Sequence, residues 1–303
     1  PTFTEAFFNQ GMSLMKLNKP AEATKAFEAA LKLEPSSTAP YVQLGTLYLK
    51  QGKKDRAVEA FKKAIELADA QDKADSGFKA LLKRNEMRRN TDAYRGLALA
   101  YLQLGKVDDA VNTLKLATDK MPKDASARLA LGEAYLAQNN ADGAVEQFQK
   151  RLELEPGTEA RLDLARAYTK KRVAKQAEPL FRDILKEEPT NRAAKLGLAD
   201  LFTAQGRFAD AEGVLKEMMA ADPNDGQALM RFGMMKSRMQ RPNEALEPLE
   251  KAVEVNPSLL DARAELGFLL FRGDPASNAG RCVTTMNEIL TSDDLHALAL
   301  LYR

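Results

Sequence analysis

Residues 125–157 read ASARLALGEAYLAQNNADGAVEQFQKRLELEPG. In the first half, Leu131, Gly132 and Tyr135 fall on one stripe of a helix. In the second half, Ala144 and Phe148 stand one helical turn apart. Pro156 closes the stretch, because proline cannot continue a helix interior and pushes its predecessor to extended geometry. The small residue in each half lets two backbones approach closely. The stretch therefore predicts two helices folded back on one another.

The same arrangement recurs along the chain. Segments EATKAFEAALKLEP, GAVEQFQKRLELEP, KQAEPLFRDILKEEP, DAEGVLKEMMAADP and EALEPLEKAVEVNP end at Pro35, Pro156, Pro189, Pro223 and Pro257, and Pro122 plays the same part. From Pro122 onward the prolines are 34, 33, 34 and 34 residues apart. The pair of Ala and bulky apolar residue returns as Ala23 and Phe27, Ala57 and Phe61, Ala110 and Leu114, Ala177 and Phe181, Ala211 and Leu215, and Ala245 and Leu249. The first-helix stripe returns as Leu44, Gly45 and Tyr48, as Leu97, Ala98 and Tyr101, and as Leu164, Ala165 and Tyr168.

A period of this length built on these residues resembles the tetratricopeptide repeat, a helix–turn–helix unit. In that family's register, full repeats span 4–37, 38–71, 91–124, 125–157, 158–191, 192–225 and 226–259, with a degenerate one at 260–291. The expected fold class is all-α, an α–α superhelical solenoid running as a single array over residues 1–303. One such hairpin cannot bury its own apolar faces, so stability must come from stacking on neighbours. Pro20 and Pro242 fall where second helices should begin, a position proline suits.

Several places depart from the pattern. Asp69 stands where a proline is expected, and an insertion, 72–90, follows it. Phe78, Leu81 and Leu82 lie there on helical spacing, followed by Lys83, Arg84, Arg88 and Arg89, so an extended or additional helix is expected. Residues 73–95 hold seven Lys or Arg against three acidic residues. Pro179 and Pro248 lie inside second helices and should bend them locally. Lys236 replaces the first-helix aromatic, among Met219, Met230, Met234, Met235 and Met239, which suit either core filling or an adaptable surface. The terminal segment 292–303 begins with a plausible cap at Ser292 and carries Leu295, Leu298, Leu300 and Leu301 on more than one face. It reads as the first helix of a further repeat, so the natural chain is expected to continue past Arg303; a start at Pro1 suggests processing or trimming.

The composition narrows the chemistry. Forty-five Lys and Arg against 43 Asp and Glu leave a net charge of +2, which disfavours a dedicated nucleic-acid binder. No apolar run is long enough for a transmembrane helix. A single Cys, Cys282, and a single His, His296, exclude a disulfide framework and a Cys/His zinc site within one chain. Cys282 has no local base to activate it, and His296 has no metal-ligating companion. Gly52-Lys53 and Gly105-Lys106 lack the rest of a phosphate-binding loop and sit at helix–helix turns instead. Neither an enzymatic activity nor a cofactor is expected. A lone Cys suits cytoplasm and periplasm alike.

Binding is the remaining role. The resemblance implies a concave groove lined by the second, fifth, ninth, twelfth and thirteenth residues of each first helix. Carried onto this sequence, the partner-binding candidates are Phe8, Met12, Val42, Leu49, Arg95, Leu99, Leu102, Leu129, Glu133, Leu136, Leu162, Arg166, Lys170, Met230 and Met234. Lys16, Lys50, Arg238 and Arg272 join Lys170 at the thirteenth position. A subgroup of the family grips chaperone C-terminal carboxylates with Lys and Asn at the fifth and ninth positions. Phe8 and Met12 occupy those places in the first repeat, and no later repeat restores the clamp. The sequence thus points to a scaffold for an extended or helical segment of another protein, in the assembly of a bacterial multiprotein complex. The alternative is a recognition module of a larger enzyme such as a glycosyltransferase.

Overall fold

A computed structural model of the chain describes residues 3–74 and 84–273, with positions 280 and 283. No strand occurs among the described residues. The chain divides into two units, residues 1–160 and 161–303. The first holds the helix pairs α1 (Phe3–Lys16) with α2 (Pro20–Leu33), α3 (Thr38–Lys50) with α4 (Lys54–Ala74), α5 (Arg84–Gln103) with α6 (Val107–Lys120), and α7 (Ala125–Ala137) with α8 (Ala141–Leu154). Helix α9 (Thr158–Lys170) begins at the end of that unit and lies mostly in the second. There it is followed by α10 (Ala174–Glu187), α11 (Arg192–Ala204), α12 (Phe208–Ala221), α13 (Gly226–Arg238), α14 (Pro242–Val255) and α15 (Leu260–Gly273). From α1 to α8 and from α10 to α15 successive helices pack in chain order, and alternate ones (α3 on α5, α5 on α7, α11 on α13, α13 on α15) also touch. Each unit is therefore an α–α solenoid of helix–turn–helix repeats.

Every hairpin turn uses one backbone device. Asn18, Gly52, Gly105, Asn139, Arg172, Gly206 and Gln240 all take positive φ, between 55° and 74°. The residue after each donates its N–H to the carbonyl at the aromatic position of the first helix. Lys53 thus bonds Tyr48 at 2.8 Å, Asn140 bonds Tyr135 at 2.8 Å, and Arg241 bonds Lys236 at 3.0 Å. A left-handed residue at a helix end satisfies carbonyls that the helix cannot. Glycine and asparagine do this at little steric cost, while Arg172 and Gln240 do it against their Cβ atoms.

Stacking rests on the second-helix aromatics. Phe27, Phe61, Phe148 and Phe181 are fully buried, each pressed on a glycine of a first helix. Phe61 meets two of them: a Cβ on Gly45 would lie 2.7 Å from its ring, and one on Gly96 would lie 2.3 Å away. Gly45 belongs to the same repeat and Gly96 to the next, so one ring joins a hairpin to its neighbour. Helix α1 differs on the face that later first helices use for stacking. It carries exposed Asn9, Gln10 and Ser13 where α7 carries Ala130, Leu131 and Ala134, which leaves that face solvated.

A polar device links consecutive first helices. Asp225 caps α13 by accepting from the N–H groups of Gln227 and Ala228, at 3.0 and 3.0 Å. The same carboxylate accepts from the Arg192 guanidinium of α11 at 2.6 and 2.8 Å. Asp124 caps α7 in the same way while accepting from the buried Thr91 hydroxyl of α5. Burial opposes ionisation of Asp225, but Arg192 and the two backbone donors hold its carboxyl below the usual range.

Pro20 and Pro242 open α2 and α14. Pro179 and Pro248 lie inside α10 and α14, each assigned as one uninterrupted helix. Lacking a proline stop, α4 runs on to Ala74, and its Asp69 is held by Lys120 of α6 at 2.5 Å. Residues 72–74 extend α4, and 84–90, with Arg84, Arg88 and Arg89, open α5. Phe78, Leu81, Leu82 and Lys83 lie outside the described residues, as do Cys282, His296 and the segment 292–303.

Three outcomes follow for stability. Gly96→Ala forces a methyl into the Phe61 ring and should cost about 2 kcal/mol. Gly213→Ala, in α12 with nothing within 4 Å of its added Cβ, should instead stabilise by about 0.5–1 kcal/mol. Urea unfolding of both variants reads the opposite signs. The folded-state carboxyl of Asp225 ionises more readily than it does in the unfolded chain, so its stabilisation is present above the unfolded value of about 4. It should be lost as pH falls through the lower folded value. Asp225→Ala should cost about 1–2 kcal/mol at neutral pH and flatten the acid limb of a stability–pH profile.

Candidate partner-binding surface

The first helices of each unit share one face. In the first unit, Phe8 and Met12 are half-buried, and the Phe8 ring packs on Phe27 with centroids 5.6 Å apart. Leu49 is half-buried against the Phe61 cluster, and Leu102 against Leu114 and Leu131. Leu129 and Leu136 are likewise half-buried, while Arg95 and Glu133 are exposed. Leu99 stands out: 48% of it meets water, on a helix whose Leu97, Ala98 and Ala100 are buried. Its exposure follows from the helical period, since the neighbouring positions serve stacking and this one does not. Arg95, one turn before it, reaches Asp92 at 4.0 Å.

In the second unit, Arg166 and Lys170 are exposed one turn apart on α9, with Arg166 3.9 Å from Asp163. On α11, Asp200 accepts from Arg231 of α13 at 3.0 Å and lies within electrostatic reach of Lys170 and Arg166. Asp200 is half accessible to water yet enclosed by neighbouring atoms. That enclosure lifts its carboxyl above the ordinary range, against the pull of Arg231, Lys170 and Arg166. Farther along, Ser237 of α13 donates to Glu265 of α15. Among the described residues, no cluster of His, Cys, Asp and Glu is arranged to hold a metal ion.

Three candidate residues are placed otherwise than expected. Val42, Leu162 and Met230 are buried in the helix packing, so the fifth position, where it holds these side chains, serves the core. The methionines follow them inward. Met235 is fully buried, and Met219 and Met234 pack on the cluster of Leu249 and Leu266. Of the two roles these methionines suit, core filling is the one Met235, Met219 and Met234 take.

Two arrangements were not visible from the register. Arg231 lies one position beyond the fifth, where its guanidinium reaches the ninth residue of the preceding first helix. Lys236, in the aromatic's place, has a side chain only 4% exposed. Its ammonium meets Glu244 of α14 at 2.8 Å and Glu212 of α12 at 3.1 Å, and it lies 5.2 Å from the Phe232 ring centre. Its stem thus fills core while its head joins two second helices. Hydrogen bonding to Glu244 outweighs burial and raises the lysine's pKa, so it stays charged. Lys236→Ala should destabilise by about 2 kcal/mol, whereas Lys236→Met, which keeps the volume, should stay within about 1 kcal/mol of the parent. Thermal and urea unfolding of the pair separate packing from charge.

Family models described as tetratricopeptide repeat match residues 8–74, 72–120, 97–160 and 174–231, together more than half of the chain. The chain is 22% identical over 271 residues to protein O-mannosyl-transferase TMTC3 of Homo sapiens, a match covering 86% of this chain and 27% of that protein. It is 26% identical over 161 residues to the type IV pilus assembly protein PilF of Pseudomonas aeruginosa, covering 52% of this chain and 64% of PilF. The chain thus spans less than two thirds of each of these relatives. A tetratricopeptide repeat protein from Parabacteroides merdae has the same fold, with a TM-score of 0.69 and 19% identity over 88% of this chain and 99% of that one. Stacked helical hairpins, closed by left-handed turns and matched by these models, establish that the chain belongs to the tetratricopeptide repeat family.

Proposed function

We propose that this chain is a non-catalytic scaffold that holds an extended or helical segment of a partner protein along its first-helix face. The observation that carries the reading is Leu99, half exposed beside the partly buried Leu102. A large apolar side chain left open beside further apolar surface suits an anchor pocket better than a solvated surface. Leu136 on α7, with Met12 and Phe8 on α1, extends the apolar lining, and Arg95 supplies polar orientation; in the second unit Arg166 and Lys170 present the corresponding polar groups on α9. Side chains presented by rigid helices suit segment recognition, because ordering costs fall on the ligand alone. The partner is a protein and not a nucleic acid, in keeping with a net charge of +2. No helix among the described residues is long and apolar enough to cross a membrane. Similarity to PilF favours a place in assembling a bacterial multiprotein complex.

A second reading is favoured by a different observation. Most of this chain matches about a quarter of an O-mannosyl-transferase, the relation expected of a recognition module within a larger enzyme. The gene's downstream sequence discriminates the two: a transferase domain in the same reading frame supports the module. The groove itself is tested by affinity capture from the native source with the parent chain and with Leu99→Glu and Leu136→Glu. Captured partners should fall at least about tenfold, as expected when a buried anchor is lost. Unchanged capture by folded variants sinks the reading.

A further inference from the structure

We infer that residues 166–175 form a cationic ridge that recognises an acidic segment of the partner protein. The inference rests on the scaffold reading above and adds the chemistry of the occupant. The stretch RAYTKKRVAK holds Arg166, Lys170, Lys171, Arg172 and Lys175 and no carboxylate. It leads from the first-helix face, where Arg166 and Lys170 lie, through the α9–α10 turn to the first residues of α10. All five side chains are exposed. Lys170, Arg172 and Lys175 make no ion pair within 4.0 Å among the described residues.

Stability does not account for these cations. Arg172 takes φ 64° at the turn position that most other repeats give to glycine or asparagine. A side chain there costs about 1 kcal/mol. Lys175 occupies the first turn of α10, which contains no acidic residue, and a cation at a helix N-terminus opposes the helix dipole. Neighbouring cations also repel one another. Their density is consistent with a surface meant to meet negative charge.

The extent of the ridge separates a protein from a nucleic acid. Beyond Lys175 the surface is internally neutralised, because Glu178 is bound by Arg182 and by Arg207, both at 2.7 Å. On the other side Asp163 and Asp200 adjoin Arg166. Ten residues of helix and turn span only about 15 Å, shorter than the extended basic track by which proteins neutralise a phosphate backbone. A few spaced carboxylates on a peptide fit that length, and the bordering carboxylates would repel a longer polyanion.

The probe is a short fluorescein-labelled peptide of repeating Glu-Ala-Leu-Glu units, followed by fluorescence anisotropy on the full chain. The double variant Lys170→Glu/Arg172→Glu should bind it at least about tenfold more weakly than the parent, and a Gln-Ala-Leu-Gln peptide should bind the parent equally weakly. Added salt should weaken the acidic complex. Lys25→Glu/Lys32→Glu, with the same change in net charge on α2, should leave the affinity unchanged. Lys170→Gln/Arg172→Gln serves if charge reversal impairs folding, as read by circular dichroism. Equal affinity for the two peptides, equal losses in the α2 variant, or tighter binding of single-stranded DNA abolished by the same substitutions would each overturn the inference. Partner capture that Leu99→Glu abolishes but the ridge variants leave intact refutes the ridge while sparing the groove. Capture indifferent to Leu99→Glu, with acidic-peptide binding lost only in the ridge variants, does the reverse.

Discussion

The fold depends on one steric fact: an aromatic ring can sit against a helix backbone only where the facing residue has almost no side chain. Phe61 shows it most fully, lying between Gly45 of its own hairpin and Gly96 of the next. The first contact closes a hairpin and the second stacks it. Only the first is available to an isolated hairpin, so further stability accrues through neighbours. Phe27 on Gly11, Phe148 on Gly132 and Phe181 on Gly197 repeat the theme with one glycine each. Where leucine replaces the aromatic, as at Leu249 against Gly233, the approach is just as close.

That packing fixes which residues remain for binding. Stacking consumes Leu97, Ala98 and Ala100 on α5, and the helical period then turns Leu99 to water. Capping and turn devices consume helix ends: Asp124 and Asp225 tie each cap to the preceding first helix. Rigidity at these points means that the exposed side chains sit on a preorganised surface, the condition under which few contacts give useful affinity. What the packing leaves exposed is a small remainder of positions, which can vary without disturbing the stack.

Much of this was legible beforehand, and the reasons differ by residue. The period, the prolines at Pro156 and Pro189 and the notch pairs such as Ala144 with Phe148 each report a local constraint, so they expose the repeat directly. The left-handed turn was legible at Gly52 and Gly105 but hidden at Arg172 and Gln240, because only the bond to the preceding helix imposes that conformation there. The buried Lys236 was hidden for a similar reason. Its neutralising partners, Glu212 and Glu244, come from helices 24 and 8 residues away, and their distance along the chain conceals the convergence. The fifth position misled because a register taken from a family describes average faces. Val42, Leu162 and Met230 are drawn inward by the neighbours each meets in this chain.

Near-neutral composition acquires a different meaning once the charges are placed. Many are spent in pairs across or along helices, as in Arg161 with Glu187, Arg192 with Asp225, Lys195 with Glu217 and Arg231 with Asp200. Exposed pairs of this kind contribute little stability each, but each cancels its own charge locally. What they leave uncancelled is therefore disproportionately visible to an approaching partner. Within the run from Arg166 to Lys175, Lys170, Arg172 and Lys175 are such a remainder; Arg172 sits where turn geometry argues against a side chain, and Lys175 where helix polarity argues against a cation. A balanced total is then what makes a short charged ridge selective: against a uniformly basic surface, the same five residues would attract any polyanion, whereas against paired surroundings they discriminate by length and spacing.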